Sequence, residues 1–349
     1  MNNLTVVVTR LVLFGVFSAL TLRLVACSSS EIIPPNAPTP STNPYSLGRV
    51  GTSTDIVTTS ETGLVLMGGG SDVDAAFRWM IQKSGGGDFV ILRASGGNGY
   101  NDYVYGFGGL NSVETFLVNS VAAANDSTVI DRLLKAEAVF IAGGDQSRYL
   151  ALWEGSKVAE AIQFLISEKG IPIGGTSAGC AIMGEYVYSG EKGSITSEEA
   201  LANPYHEKLT VRKSSLINHP FLNGVITDQH FTQRNRHGRL VAFLARLKQV
   251  SQSPVKGIAV DEQTALVIDK DGTYRVMGSN RVLLIQENDI TAEPEIKEVG
   301  RPLTWSVNQQ ALRASWYRSI VDPEEQKTPD WADEADSFWY VENGVLFGN

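Results

Sequence analysis

Short apolar runs alternate with helical patterns through the middle of the chain. Several runs end in glycine, and their composition is typical of buried strands in a parallel sheet. The predicted strands lie at 63–70, 89–92, 115–118, 138–141 and 171–175. Apolar side chains recur at helical spacing between them, for example at Ala75, Ala76, Trp79 and Met80, and over 126–135 and 157–168. This alternation predicts an α/β fold: a three-layer α/β/α sandwich with a mostly parallel sheet.

The second half of the chain continues this pattern and then changes it. Further strands of the same sheet are predicted at 225–227 and 258–260. A closing antiparallel meander is predicted at 265–269, 274–277 and 281–285. The tail, 301–349, carries Trp305, Trp316, Trp331 and Trp339. We expect this tail to be an extension that packs on the main domain, 63–300.

The first residues are typical of an export signal. Residues 11–22 form an apolar run that is too short to span a bilayer comfortably. Small residues precede Cys27, which resembles a bacterial lipobox and predicts lipidation of that cysteine after removal of residues 1–27. Residues 28–62 are rich in serine, proline and threonine and predict a tether. We therefore expect an exported protein, lipid-anchored to the bacterial outer membrane (periplasmic or surface) or secreted.

Charge and cysteine content exclude some classes of function. The formal net charge of −9 argues against a nucleic-acid partner, since phosphate contacts need clustered lysine and arginine. With Cys27 lipidated, Cys180 is left without a cysteine partner for a disulfide. Histidines and cysteines do not cluster at the spacing of metal ligands, so no metal and no cofactor are expected. The oligomeric state stays open, with a homodimer as one option.

Candidate chemistry begins with the segment Gly175–Gly179, which has the G-x-S-x-G pattern of a nucleophile elbow. It follows a predicted strand, and its small residues allow a strand and a helix to approach closely. Ser177 is therefore the candidate nucleophile. Gly143 and Gly144 end another strand, where backbone N–H groups could face an oxyanion. The alternative for this glycine pair is a plain strand-to-helix turn.

The nucleophile needs a base and an orienting acid. His230 follows the strand 225–228 and is expected at the same sheet edge as Ser177, where sites form in open α/β sheets. The other histidines are His206, His219 and His237. Asp261 and Glu262 follow another strand, but neighbours on a strand point to opposite faces, so only one can reach the imidazole. These residues alone do not choose between the two acids. The order Ser, His, acid differs from the Ser, acid, His order of α/β-hydrolase esterases.

Four linked motifs resemble the cyanophycinase family: Ile141–Gln146, Gly174–Gly179, Asp228–Arg239 and Gly257–Ala265. These are serine peptidases of the dipeptidase E group, on a scaffold like that of class I glutamine amidotransferases (flavodoxin-like), and the resemblance covers about 63–286. It implies Ser177 as nucleophile, His230 as base and Glu262, rather than Asp261, as orienting acid. It also implies an oxyanion hole made by the N–H groups of Gly144 and Ala178.

The resemblance further implies which side chains shape the substrate cleft: Gln146, Asp228, Gln229, Arg234, Arg236 and Arg239. The expected activity is hydrolysis of β-aspartyl-arginine bonds in cyanophycin or similar peptides through an acyl-enzyme. Arginine suits such a substrate because it binds a free carboxylate with two parallel hydrogen bonds. The alternatives are a peptidase for other aspartyl peptides or isopeptides, and a non-catalytic binding lipoprotein. Cys180 replaces a small residue just after the elbow, and we expect it to be buried rather than nucleophilic.

Overall fold

The computed structural model describes residues 43–251, 254–319, 331 and 335–348, and these contain two eight-stranded sheets. The first sheet consists of β1 (Ser46–Gly51), β2 (Gly63–Met67), β3 (Asp88–Arg93), β4 (Ser112–Leu117), β5 (Ala138–Ile141), β6 (Pro172–Thr176), β11 (Thr264–Asp269) and β12 (Tyr274–Gly278). The second consists of β7 (Tyr186–Tyr188), β8 (Val211–Lys213), β9 (Val225–Gln229), β10 (Lys256–Val260), β13 (Arg281–Glu287), β14 (Leu312–Arg318), β15 (Ser337–Glu342) and β16 (Val345–Phe347).

The α-helices of the described residues are α1 (Asp74–Lys83), α2 (Gly99–Tyr105), α3 (Val121–Ala124), α4 (Ser127–Lys135), α5 (Gln146–Trp153), α6 (Lys157–Phe164), α7 (Ala178–Ala181), α8 (Ser197–Ala202) and α9 (His237–Leu247). A π-helical turn, Leu165–Lys169, extends α6. Two 3₁₀ turns lie at Pro220–Leu222 and Thr232–Arg234.

The first sheet confirms the predicted three-layer arrangement. Its order is β1-β4-β3-β5-β6-β2-β11-β12, and the five strands from β4 to β2 are parallel. Side chains of one strand alternate between the faces, as Leu64 and Leu66 show by packing on the side of α4, α5 and α6. Val65 and Met67 pack on the opposite side with α1. Helices therefore cover both faces, and the carboxyl ends of β2 and β6 meet at one edge.

The second sheet corrects the predicted course of the later strands. Instead of continuing the first sheet, β9 and β10 lie parallel to each other in the second. The predicted meander is divided, because β11 and β12 pair in the first sheet whereas β13 pairs with β10. The chain leaves the second sheet in a sharp turn after β10, where Gln263 has a φ of 56°. It returns to that sheet in the short connection between β12 and β13, where Gly278 has a φ of 104°, and this second turn divides the meander.

The predicted tether boundary also needs correction. Residues 1–42 lie outside the described residues, but β1 lies within the predicted tether and pairs antiparallel with β4. Its anchor is polar: Arg49 Nη2 lies 2.7 Å from Glu114 Oε2, and Ser46 Oγ donates to Glu114 Oε1 at 2.7 Å. The buried Glu114 carboxylate needs such partners. This part of the predicted tether is therefore a strand, although its composition is polar.

The tail is an integral part of the second sheet. β14 pairs with β13 over seven residues, β15 pairs with β14, and β16 pairs with β15. Trp305 and Trp339 are fully buried among the apolar side chains that also surround α9. The tail thus completes a sheet whose other strands include β9 and β10.

Candidate active site

The elbow at Ser177 joins the end of β6 to the start of α7. Ser177 has a φ of 51° and a ψ of −116°, a backbone conformation that is costly for a residue with a Cβ. The flanking glycines are required by close approach: a Cβ on Gly179 would lie 2.1 Å from the carbonyl oxygen of Ile141, and one on Gly175 would lie 2.7 Å from the carbonyl carbon of Gly179. The structure therefore gives each glycine of the G-x-S-x-G pattern a steric reason.

Three side chains predicted to act together lie in one hydrogen-bonded line. Ser177 Oγ is 2.7 Å from His230 Nε2, and His230 Nδ1 is 2.6 Å from Glu262 Oε1. His230 directly follows β9 and Glu262 follows β10, and these two strands are parallel neighbours whose carboxyl ends lie side by side. Such an arrangement can deprotonate a serine hydroxyl and hold the resulting imidazolium.

The structure separates the two adjacent acids by what they contact. Glu262 contacts the imidazole, whereas Asp261 is buried and its Oδ1 accepts the N–H of Thr232 at 2.8 Å. Asp261 Oδ2 lies 3.8 Å from Arg281 Nε. Asp261 thus stabilises the 3₁₀ turn that follows His230, and only Glu262 is in position to orient the ring.

The electrostatic surroundings favour a neutral imidazole at His230. Burial, as the largest cause, lowers the pKa of His230, and the positive charges of Arg234 and Arg236 lower it further. The Glu262 carboxylate opposes this by raising the pKa of His230. The net shift is downward from the ordinary value of 6.5. A neutral imidazole can accept the serine proton, so these surroundings suit a general base.

We expect the reactivity of Ser177 to persist below pH 6.5, because a base with a lowered pKa loses its proton-accepting form only at more acidic pH. The rate of fluorophosphonate labelling against pH measures this without any assumption about the substrate. Arg234→Gln should move the acid limb upward, since it removes one positive charge that lowers the pKa. Thermal melts at each pH control for unfolding, and an acid limb centred above pH 6.5 in the folded wild type would contradict the expectation.

Two backbone N–H groups are free to face an oxyanion. Within the described parts of the chain, neither the Gly144 N–H nor the Ala178 N–H donates a hydrogen bond to another group. Ala178 is the first residue of α7, where backbone N–H groups have no helical acceptor. The Gly143–Gly144 turn adjoins the serine, because a Cβ on Gly143 would lie 3.5 Å from Ser177 Cβ. Both predicted donors therefore border the elbow.

The glycine turn after β2 is a functional element that the sequence reasoning missed. The Gly68 carbonyl accepts the His230 N–H at 2.8 Å, and the Gly69 carbonyl accepts the Gln263 N–H at 2.9 Å. A Cβ on Gly69, which has a φ of +91°, would lie 2.2 Å from His230 Cε1. One on Gly70 would lie 3.2 Å from Glu262 Cβ. The run Gly68–Gly70 was the available signal for this turn, but from the sequence it predicted only the end of a strand.

Gly69→Ala is expected to lower kcat/KM on the order of 10²-fold, because the new methyl group overlaps the imidazole and displaces it from Ser177. Steady-state kinetics on the folded variant, checked by circular dichroism, would measure the loss. Gly97→Ala is the matched control, since a Cβ there meets nothing within 4 Å. Equal activity of the two variants would show that the turn does not position the base.

The predicted substrate side chains divide into a buried network and an exposed group. Arg239 Nε donates to Asp228 Oδ2 at 2.8 Å, and both side chains are buried. Arg236 Nη1 donates to the Gln229 carbonyl oxygen and lies 3.4 Å from Asp228 Oδ1. The expectation that Arg239 and Asp228 are free for substrate charges is therefore wrong, because they neutralise each other.

The remaining predicted substrate side chains are better exposed or lack partners. Arg234 is exposed, and its backbone N–H donates to the His230 carbonyl at 3.0 Å. Gln146 begins α5 and lies against Gly190, where a Cβ would be 3.0 Å from its Nε2. Gln229 Oε1 is buried without a hydrogen-bond partner among the described residues. Arg234, Gln146 and Gln229 are the predicted substrate residues with polar atoms still to be satisfied.

Cys180 and the three histidines outside the triad have contacts that suit a structural role. Cys180 is fully buried, as predicted, and burial raises the pKa of its thiol, which excludes an activated thiolate there. His219 accepts the Phe221 N–H, and burial lowers its pKa to about 4. His206 accepts the Lys208 N–H, and His237 packs among Phe231 and two tryptophans. The described residues contain no group of three His, Cys, Asp or Glu side chains arranged to hold a metal.

Comparison with known proteins adds the family context. Residues 101–276 match the family model described as "Peptidase family S51". A cyanophycinase from Synechococcus elongatus is 31% identical over 242 residues, which cover 66% of this chain and 70% of that protein. A cyanophycinase from Trichormus variabilis is 29% identical over 198 residues, 56% of this chain and 61% of that protein. A crystal structure of a peptidase from an acI-B1 Actinobacterium aligns with a TM-score of 0.47 and 15% identity, over 64% of this chain and 90% of that one.

Proposed function

Because the chain belongs to peptidase family S51 and is a serine peptidase, we propose that it hydrolyses cyanophycin-like peptides, which contain β-linked aspartyl-arginine units. The observation that carries the proposal is the hydrogen-bonded line from Ser177 Oγ through His230 to Glu262, in a chain whose relatives are cyanophycinases. The finer proposal is a preference for β-linked over α-linked Asp-Arg units.

The proposed reaction is acyl transfer to water. Ser177 Oγ attacks the scissile carbonyl carbon while His230 Nε2 accepts the hydroxyl proton. Glu262 holds the Nδ1–H tautomer and stabilises the imidazolium that forms. The N–H groups of Gly144 and Ala178 donate to the oxyanion. The imidazolium then returns its proton to the leaving amine, and a water molecule, deprotonated by the same ring, hydrolyses the acyl-enzyme.

Substrate recognition needs a cation near the base, since each β-linked unit keeps a free carboxylate. Arg236 and Arg239 are buried on Asp228, so we propose that Arg234 is the partner of that carboxylate. Gln146 and the unsatisfied Oε1 of Gln229 are proposed to accept or share hydrogen bonds with the arginine part of the substrate. In this proposal the Asp228–Arg239 pair does not contact the substrate but stabilises the wall of the cleft.

The test compares hydrolysis of cyanophycin with that of matched β-linked and α-linked Asp-Arg peptides. Moving the carboxylate by one methylene should weaken a two-point arginine contact, and we expect a preference for the β-linked peptide of about 30-fold or more in kcat/KM. Arg234→Gln should remove most of it, while Arg148→Gln, another exposed arginine, serves as control. Equal cleavage of both linkages would contradict the finer proposal, and no cleavage of either would favour another aspartyl peptide.

Export and lipid anchoring are a separate proposal that rests on the sequence of residues 1–42, which lie outside the described residues. Among the helices that the structure describes, none has the length and apolar character needed to cross a bilayer. We propose that Cys27 is acylated and holds the protein at the outer membrane, since each buried methylene adds about 0.8 kcal/mol of membrane affinity.

Cys27→Ser is expected to release the protein from the membrane fraction, because the anchor is removed while the described fold stays unchanged. Fractionation of cells followed by mass spectrometry of the N-terminus would measure both anchoring and modification. Ser28→Ala is the matched control. Wild-type protein with an unmodified N-terminus in detergent-free supernatant would refute the anchor. Sedimentation of the purified protein would test the homodimer.

A further inference from the structure

A polar pocket lies beside the loop that carries Glu262. Its volume is about 170 Å³, and its lining includes Gln233, Asn280, Arg281 and Arg318. Gln233 Oε1 accepts the Glu262 N–H at 2.9 Å, and Asn280 Nδ2 donates to the Glu262 carbonyl oxygen at 2.8 Å. The two side chains that hold the backbone of Glu262 are therefore also walls of this pocket.

Two arginines of the pocket face each other across a β-ladder. Arg281 and Arg318 are direct partners in the antiparallel pairing of β13 with β14, so their side chains share one face. Like charges directly opposite each other destabilise a sheet. The charge of Arg281 is partly balanced: its Cζ lies 3.7 Å from the ring centroid of Trp316, and its Nε lies 3.8 Å from Asp261 Oδ2. Arg318 is exposed and has no ion-pair partner among the described residues.

The charge of the lining indicates which anion fits. Its ionisable side chains are Arg281, Arg318 and Asp261, and two positive charges with one negative charge leave a single positive charge. Asp261 Oδ1 is already occupied by the Thr232 N–H. A singly charged carboxylate matches this balance, whereas a dianionic phosphate would leave an excess negative charge beside Asp261.

The pocket joins the catalytic segment to the tail. Gln233 comes from the turn after His230, whereas Arg318 ends β14, beyond the residues 101–276 that match the family. The tail thus supplies a cation to a pocket whose other walls hold the backbone of Glu262.

We propose that this pocket binds a carboxylate of the peptide substrate, on a unit next to the one at Ser177, with Arg318 as its principal partner and Arg281 as the second. This rests on the proposed function and adds a subsite to it. Arginine gives such a carboxylate a charge-assisted, two-point contact. Arg318, which has no ion-pair partner among the described residues, then has one when substrate is bound.

The test uses β-linked Asp-Arg oligopeptides in two forms, with free carboxylates and with the distal carboxylate amidated. Wild type should prefer the free form by about 10-fold in kcat/KM, through KM, as expected for one charge-assisted contact. Arg318→Gln should abolish this preference and Arg318→Lys should retain part of it. Arg275→Gln is the control for loss of an arginine charge elsewhere, since Arg275 lies on the other sheet, 3.5 Å from Asp269. An unchanged preference in Arg318→Gln would overturn the proposal.

Two further measurements distinguish a substrate subsite from a site for free anions, and failure of the subsite from failure of the proposed function. If acetate changes turnover of the amidated peptide in an Arg318-dependent manner, the pocket binds free anions and the substrate assignment falls. If no Asp-Arg peptide is cleaved, the proposed function fails, and calorimetric titration of the free-carboxylate peptide into wild type and Arg318→Gln then tests the pocket by itself. Weaker binding by the variant supports the subsite, and equal binding refutes it.

Discussion

Replacing Ser177 by alanine is expected to lower kcat on the order of 10⁶-fold, the loss typical of a serine nucleophile in a triad. This substitution removes the hydroxyl that lies 2.7 Å from His230 Nε2. Alanine lacks only the oxygen, so the fold is retained. Hydrolysis of Asp-Arg peptides and fluorophosphonate labelling both measure the effect.

The control for this prediction is Cys180→Ser, which should leave activity largely intact. Cys180 is fully buried and its pKa is raised, so it cannot replace Ser177 as nucleophile. More than a few per cent of activity in Ser177→Ala, in a preparation free of other peptidases, would show that the nucleophile has been misassigned. An inactive but folded Cys180→Ser variant would lead to the same conclusion.

Glu262→Gln is expected to lower kcat by about 10⁴-fold, by analogy with removal of the orienting carboxylate in a serine-protease triad. The amide loses the charge that stabilises the imidazolium, and its NH₂ group would favour the tautomer with the proton on Nε2. The Glu262 side chain is 30% exposed and glutamine has the same shape, so stability should change little. Single-turnover kinetics and thermal melts would separate the two effects.

Asp261→Asn, a substitution at the adjacent acid, is the matched control for Glu262→Gln. Its Oδ1 can still accept the Thr232 N–H as an amide oxygen, so we expect a much smaller loss than for Glu262→Gln. The opposite ranking of the two variants would transfer the orienting role to Asp261 and contradict the hydrogen bond between Glu262 and His230.

The elements that the sequence predicted well are those with local signals. The buried apolar runs of the first sheet and the G-x-S-x-G turn depend on residues that are close in sequence. His230 could be placed because parallel strands bring their carboxyl ends to one edge. Choosing Glu262 over Asp261 from the sequence required the family resemblance, since the side-chain alternation of a strand is compatible with either acid reaching the ring.

Features that were missed depend on long-range partners. β1 looks like a tether because its anchor is the buried Glu114, 65 residues away from Arg49. The chain crosses from the second sheet to the first at Gln263, a residue whose type gives no signal for a positive φ, and it crosses back between β12 and β13, which divides the meander. Arg239 looked like a substrate ligand because the carboxylate of Asp228 lies eleven residues earlier in sequence but directly against it in space.

The pairing of the tail into the second sheet determines the order in which the active site can be assembled. β13 supports β10, which carries the acid at its end, and β14 covers the outer edge of β13. Ribosomes deliver the chain from its N-terminus, so the strands that close this edge arrive after the catalytic residues. Until then β13 is an open edge that can pair with other chains. The catalytic geometry therefore depends on the later strands, even though Ser177, His230 and Glu262 all precede β13.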